Sequence, residues 1–168
     1  MAAVDIHTAL ARMTEALRPR LSQQPIMIGI HTGGAWLAER LHRAFALSEP
    51  LGTLDISFYR DDFTRLGINP QVKTSNLPVN IEDRHVILVD DVLHTGRTVR
   101  AALNEIFDYG RPASVTFAVL IARDGRELPI QADVVGETLT LARHQHIKLL
   151  RAHDPQGTLS LSVQEAGD

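Results

Sequence analysis

The sequence predicts an α/β fold whose central, mostly parallel sheet is flanked by helices. Three short apolar runs carry this reading: Ile26 to Ile30, Val86 to Val89 and Val115 to Ile121. Each run is continuous rather than alternating, the pattern of strands buried on both faces. Stretches of helical periodicity separate them, and strands that alternate with helices build parallel sheets.

In chain order, Ile6, Leu10, Met13 and Leu17 recur at helical spacing and Pro19 lies just beyond, which predicts a first helix over about 5–18. Thr32-Gly33-Gly34 breaks the first strand, and Ala35, Ala38, Leu41 and Phe45 then share one helical stripe. Leu54 to Tyr59 nearly alternates and predicts a strand with one less buried face. From Arg60 to about Glu82 the chain is polar, with Gly67, Asn69, Pro70, Asn76, Pro78 and Asn80. A structureless stretch of that length inside a compact domain is functional or disordered. Val86 to Val89 leads into a turn over Asp90 to Gly96, then a helix with Val99, Ala102, Leu103, Ile106 and Phe107 on one face. Gly110 is placed to cap it, and Pro112 prevents continuation. Beyond the third buried strand, Arg123 to Pro129 is a polar loop and Ala132 to Val135 a short strand. The tail carries short alternating patches at Ile147 to Leu150 and Leu159 to Val163. No repeat, low-complexity segment or linker interrupts the chain, and residues 1–168 are expected to form one domain.

The 168 residues are 44% hydrophobic and 22% charged, a globular composition that excludes wholesale disorder. The absence of cysteine excludes disulfides, thiolate nucleophiles, zinc fingers and Fe–S clusters. No apolar run approaches the ~20 residues of a membrane span. Met1-Ala2-Ala3-Val4-Asp5 lacks the basic-then-apolar pattern of a secretory signal. These features predict a cytoplasmic protein with no membrane partner. A net charge of −3 argues mildly against an obligate nucleic-acid binder and leaves room for a local basic patch.

The strongest chemical feature is Val86-Ile87-Leu88-Val89-Asp90-Asp91-Val92-Leu93-His94-Thr95-Gly96-Arg97-Thr98. In open α/β sheets, ligands bind at the carboxyl ends of the strands. Two adjacent carboxylates at such an end are costly unless something binds them, and ribose hydroxyls or a divalent metal would serve. The following loop offers hydroxyls, close backbone N–H groups and a helix N-terminus, which together cradle an anion. Acids for hydroxyls beside a phosphate cradle suit a ribose 5-phosphate. The same residues also fit a capped helix after a strand, with Asp91 and Thr95 satisfying backbone donors. Neither G-x-x-x-x-G-K-[ST] nor G-x-G-x-x-G occurs, which argues against P-loop and Rossmann readings.

This stretch resembles the PRPP-binding signature of type I phosphoribosyltransferases. More narrowly, the chain resembles the PyrR family, bifunctional pyrimidine operon regulators and uracil phosphoribosyltransferases. Asp55-Ile56-Ser57-Phe58-Tyr59-Arg60-Asp61-Asp62 is similar to that family's Y-R-D-D segment. Val72-Lys73 and Pro78-Val79-Asn80-Ile81 resemble its flexible loop. Val99-Arg100-Ala101, Gly110-Arg111-Pro112, Arg126-Glu127-Leu128-Pro129-Ile130 and Ala132-Asp133 match as well, so the resemblance covers roughly residues 5–137.

The resemblance implies a type I phosphoribosyltransferase fold with a small hood and a flexible loop. It implies the reaction of uracil with PRPP, in the presence of Mg²⁺, to give UMP and pyrophosphate. Asp90 and Asp91 would hold the ribose hydroxyls, and would meet the metal only through PRPP. His94, Thr95, Gly96, Arg97 and Thr98 would hold the 5-phosphate. Thr32, Gly33 and Gly34 occupy the pyrophosphate-loop position. The Arg60 to Glu82 loop would close over PRPP, with Arg60 or Lys73 stabilising the departing pyrophosphate electrostatically. The loop around residues 121–130, including Ile121, would recognise uracil largely through backbone groups, with Arg123 as its side-chain contact. Homodimers or homotetramers are implied too, as is a pyrimidine-gene leader RNA partner. Two departures stand out. His31-Thr32-Gly33-Gly34 replaces K-T-R-G, and Ala122-Arg123-Asp124-Gly125-Arg126 replaces D-R-G-H-R, whose histidine the family associates with RNA binding.

Other residues give weaker signals. His144 and His146 would share a strand face, with no third metal ligand nearby in sequence. Trp36 reads as packing before it reads as a stacking platform. Arg12, Arg18, Arg20, Arg143, Lys148 and Arg151 are the candidates for an RNA-binding surface, against a default of scattered solvated arginines. Two rivals stand beside the uracil enzyme: an RNA-binding attenuation regulator that senses UMP, and a phosphoribosyltransferase for another base.

Overall fold

The computed structural model describes residues 4–56 and 75–166. Helix α1 (Ile6–Leu17) begins at Asp5, whose carboxylate accepts from the amides of His7 and Thr8 and from the Thr8 hydroxyl. A 3-10 turn (Arg18–Gln23) with Pro19 in its first turn leads to strand β1 (Ile26–Ile30). Helix α2 (Gly33–Phe45), β2 (Gly52–Leu54), β3 (His85–Leu93), α3 (Arg97–Tyr109), β4 (Ser114–Arg123) and β5 (Val134–Leu139) follow. The sheet order is β2-β1-β3-β4-β5, and each pairing is parallel. All five strands therefore end at one edge. Strands β6 (Gln145–Arg151) and β7 (Leu159–Glu165) form a separate antiparallel hairpin.

Each face of the sheet has its own core. Met13 and Leu17 of α1, Leu37 and Leu41 of α2, and Ile147 and Leu149 of the hairpin pack with Ile87, Val89 and Leu120. Val99, Ala102 and Ile106 of α3 pack on the other face with Ile28, Leu88 and Val119. Gly29 lets α2 lie close to β1. A Cβ there would sit 2.7 Å from the Ala35 Cα and 2.8 Å from the Ala38 Cβ.

The structure departs from the sequence expectations at four places. Strand β3 continues through the aspartate pair to Leu93, where a turn from Asp90 was expected. The long neighbour β4 supplies partners that far: Asp90 faces Val119, Val92 faces Ile121 and Leu93 faces Ala122. Strand β2 stops at Leu54, its register with β1 running from Gly52 to Leu54, while Ser57 to Tyr59 lie outside the described residues. Phe107 is 57% exposed, because the buried stripe of α3 runs through Val99, Ala102 and Ile106 and leaves its neighbour turned off the sheet. The polar stretch ends in anchored chain: Asn76 bridges Thr53, Ile81 is buried, and Leu77 and Val79 pack on the second core. Among the described residues no helix is long and apolar enough to cross a membrane.

Candidate active site

Because β1 and β3 are sheet neighbours, the turn after β1 abuts the aspartates near the end of β3. The contact leaves no room for side chains. A Cβ on Gly33 would fall 2.3 Å from Asp91 Oδ2, and one on Gly34 would fall 2.6 Å from the Val89 carbonyl and 2.9 Å from the Asp90 Cα. The His31–Thr32 peptide is cis, and the His31 amide donates to the Leu54 carbonyl at 2.9 Å. Asp90 is buried and its Oδ1 accepts from the Asp91 amide at 2.8 Å. Asp91 is half-buried and accepts from the Val92 amide at 2.9 Å through Oδ1. Buried carboxylates need such partners, and Asp91 Oδ2 is the oxygen that faces the glycine turn.

The second wall is the loop from β3 into α3. Gly96 has φ of +96°, a conformation that side chains resist. The Thr95 hydroxyl accepts from the Arg97 amide at 3.1 Å, and no side chain caps α3 at Gly96. The remaining first-turn amides and the helix dipole favour an anion. Asp90, His94, Thr95, Gly96 and Thr98 line a cavity of about 160 Å³ here.

The loop after β4 braces this wall. The Thr95 carbonyl accepts from the amides of Glu127 (2.9 Å) and Leu128 (3.2 Å), and Glu127 pairs with Arg97 Nε at 2.9 Å. Arg126 Nη1 donates to the carbonyls of His94 and Arg123. Gly125, at φ of +107°, lies against the His94 ring, where a Cβ would come 2.8 Å from Nε2. Burial, and next the positive charge of Arg123, hold the His94 imidazole below its ordinary value, with Glu127 opposing.

The structure thus brings together Thr32, Gly33, Gly34, Asp90 and Asp91, and places His94, Thr95, Gly96, Arg97 and Thr98 beside them. Arg60 and Lys73 lie outside the described residues. Ile121 is fully buried in the sheet. Arg123 is buried too, its Nη1 and Nη2 donating to the carbonyls of Gln145 (2.7 Å) and Ala142 (3.4 Å) while Nε has no partner. Its guanidinium therefore ties the tail to β4. The bracing by Arg126 and Glu127 escaped the sequence reading, although the charged run Arg123 to Glu127 was its visible signal.

Three of the six basic candidates are tied to neighbouring side chains. Arg12 pairs with Glu137, Arg18 with Glu15, and Arg20 bonds Thr116 at the opposite end of β4 from the site. Lys148 and Arg151 lie on opposite faces of β6, since side chains alternate along a strand. Arg143 is exposed just before β6. His144 pairs with Glu165, and no group of three His, Asp or Glu side chains that could hold a metal occurs among the described residues. Trp36 is half-buried against the core, with Arg151 stacked 5.9 Å from its ring.

The chain is similar to known proteins in sequence and in fold. The phosphoribosyl transferase domain family matches residues 4–150. The bifunctional protein PyrR of Nitrosococcus oceani is 59% identical over 167 residues, 96% of this chain and 92% of that protein. That of Pseudomonas aeruginosa PAO1 is 57% identical over 145 residues, 84% of this chain and 85% of that one. Two solved structures share the fold. A hypoxanthine-guanine-xanthine phosphoribosyltransferase has a TM-score of 0.65 and 19% identity over 99% of this chain and 94% of its own. A purine phosphoribosyltransferase from Pyrococcus horikoshii has a TM-score of 0.58 and 23% identity over 80% and 86%.

Proposed function

The chain belongs to the phosphoribosyltransferase domain family and, within it, to the PyrR family; from that premise we propose that it is a single-domain uracil phosphoribosyltransferase making UMP and pyrophosphate from uracil and PRPP. The observation that carries this reading is the glycine turn pressed against Asp90 and Asp91, beside a phosphate-sized cavity. The two carboxylates accept from the ribose hydroxyls. Thr95, Thr98 and the first amides of α3 hold the 5-phosphate. Backbone N–H groups of residues 32–34 take the pyrophosphate, without a cation in that loop. The bond from the ribose to uracil N1 forms as the bond to pyrophosphate breaks; the leaving group carries away the electron pair and takes up the proton that N1 releases. No protein nucleophile is required, because positioning and charge stabilisation carry the displacement. Arg60 and Lys73 remain the proposed cations for the departing pyrophosphate.

Carboxylate oxygens suit Mg²⁺. Asp90 and Asp91 would meet the ion only through PRPP oxygens. When bound there, Mg²⁺ would neutralise pyrophosphate charge. We further propose that the protein acts as a homodimer or homotetramer. A second reading, a UMP-responsive regulator of pyrimidine-gene leader RNA, draws on the word bifunctional in the relatives' names.

Incubation with PRPP, Mg²⁺ and each nucleobase in turn tests the main reading. Uracil alone should release pyrophosphate and yield a nucleotide; release with a purine and not with uracil overturns the base assignment. Asp91→Asn should lower turnover or PRPP affinity about ten- to a hundredfold, the worth of a hydrogen bond to a charged group, while the fold is kept. Wild-type kinetics in that variant would remove the ribose role.

A further inference from the structure

A concentration of positive charge lies on α2, away from the strand ends. Arg40 and Arg43 of α2 and Arg151 of β6 line one small concavity with Trp36, Glu39 and Gln156. Trp36, Arg40 and Arg43 are spaced to share a helix face. Arg40 and Arg43 stand seven and ten residues beyond Gly34's neighbour Gly33, about 10–15 Å along the helix axis. Among the described residues none of the three arginines forms an ion pair. Glu39 is the one carboxylate in the lining.

The arginines are also held in place. Arg40 Nη2 donates to the carbonyls of Gln156 (3.2 Å) and Gly157 (2.5 Å), which fastens the β6–β7 turn to α2. Arg151 lies over the Trp36 ring and against Gly157, where a Cβ would come 2.8 Å from its Nε. Gly157 has φ of +60°, so the turn that seats Arg151 depends on that glycine. Three guanidinium groups, two of them oriented by the fold, surround a space of about 50 Å³. Unpaired, pre-positioned guanidinium forks match the oxygens of phosphate groups. The space exceeds the ~30 Å³ that one water occupies in the liquid but is small, so it admits one oxyanion head and leaves the rest of the ligand outside.

We propose that Arg40, Arg43 and Arg151 form a phosphate-binding site separate from the strand-end site. The phosphate belongs either to an RNA backbone or to a small phosphate ester, and the two sources differ in their salt response. This proposal does not depend on the identity of the base used in catalysis.

Trp36 is the single tryptophan of the chain, so its emission reports on this site directly. The full-length protein is titrated with inorganic phosphate and, separately, with an unstructured oligoribonucleotide. Saturable emission changes are expected with at least one probe. Arg43→Gln, which removes an exposed side chain, and Arg40→Gln should each weaken that response by about tenfold, as loss of a charge-assisted hydrogen bond does. Phosphoribosyl transfer by Arg43→Gln should match the wild type, which also shows that this variant folds. Phosphate bound at the strand ends would still be seen in these variants, so their loss of response isolates the second site. Oligoribonucleotide binding whose logarithmic salt slope shrinks by about one per arginine removed assigns the phosphate to RNA. A response to inorganic phosphate alone assigns it to a small ester. No emission change with either probe, or equal responses in wild type and both variants, overturns the site.

Discussion

The two walls of the candidate active site are built on opposite principles. The turn after β1 works by excluding side chains: Gly33 and Gly34 press against Asp91, Asp90 and the Val89 carbonyl with no space for a methyl group. The loop after β3 works by cross-bracing: Thr95, Arg97 and His94 are tied to Glu127, Leu128 and Arg126 of another loop. The first wall is set by backbone packing and should fail abruptly when altered. The second is a network of hydrogen bonds and should weaken by degrees.

Substitution at the glycines gives the largest expected effect. Gly34→Ala drives a methyl group into backbone atoms that cannot swing aside, and overpacking of this kind costs about 1–3 kcal/mol. Denaturant unfolding should register that loss, and transfer activity should be nearly abolished. Gly33→Ala meets chiefly the Asp91 carboxylate, a side chain that can rotate. It should therefore damage PRPP binding while costing less stability. Equal destabilisation by the two variants would show that the turn is not held by backbone contact.

Breaking a brace comes next. Arg126→Gln removes the donor shared by the His94 and Arg123 carbonyls. A hydrogen bond of this type contributes about 1 kcal/mol net, so KM for PRPP should rise a few-fold while kcat is largely kept. Steady-state kinetics as poor as those of Gly34→Ala would erase the distinction between the walls.

The smallest effect concerns His94. Burial first, and Arg123 next, hold its imidazole below the ordinary 6.5. The unfolded chain therefore takes up this proton at a higher pH than the folded one. Stability is unaffected well above 6.5 and falls as pH drops below it through the lowered folded value. Urea titrations across that interval should show the decline, and His94→Gln should flatten it. An imidazole NMR titration with a midpoint above 6.5 in the free protein would contradict the assignment.

Much of the first wall was legible in the sequence, because it rests on local signals: a continuous apolar run, a Gly-Gly break and a helical stripe. The Asp90-Asp91 pair stood out for the same reason. The second wall was legible only in part. His94 to Thr98 could be read as a cradle, but the Arg97–Glu127 and Arg126–His94 links join segments brought together by the β3–β4 register, which no local pattern encodes. The same holds for Arg40 and Arg151, which meet only because the hairpin docks on α2. The anchoring of Leu77, Val79 and Ile81 did have a signal, a three-residue alternation hidden by the prolines and asparagines around it. Arg123 shows the reverse case, a charge that reads as ligand-facing and whose Nη1 and Nη2 donate to the carbonyls of Gln145 and Ala142.

The β1–β3 pairing has a practical consequence. The glycine turn and the aspartates come from strands that are adjacent in the sheet but not consecutive in the chain. Their juxtaposition exists only once the parallel ladder has closed, and an unfolded chain offers a ligand neither wall. Anything that binds between them must stabilise the whole sheet by mass action, by about 2.7 kcal/mol at a hundredfold excess over Kd, and so raise its melting temperature. Melting curves recorded against ligand concentration therefore measure affinity without turnover, and do so equally well for variants that no longer catalyse.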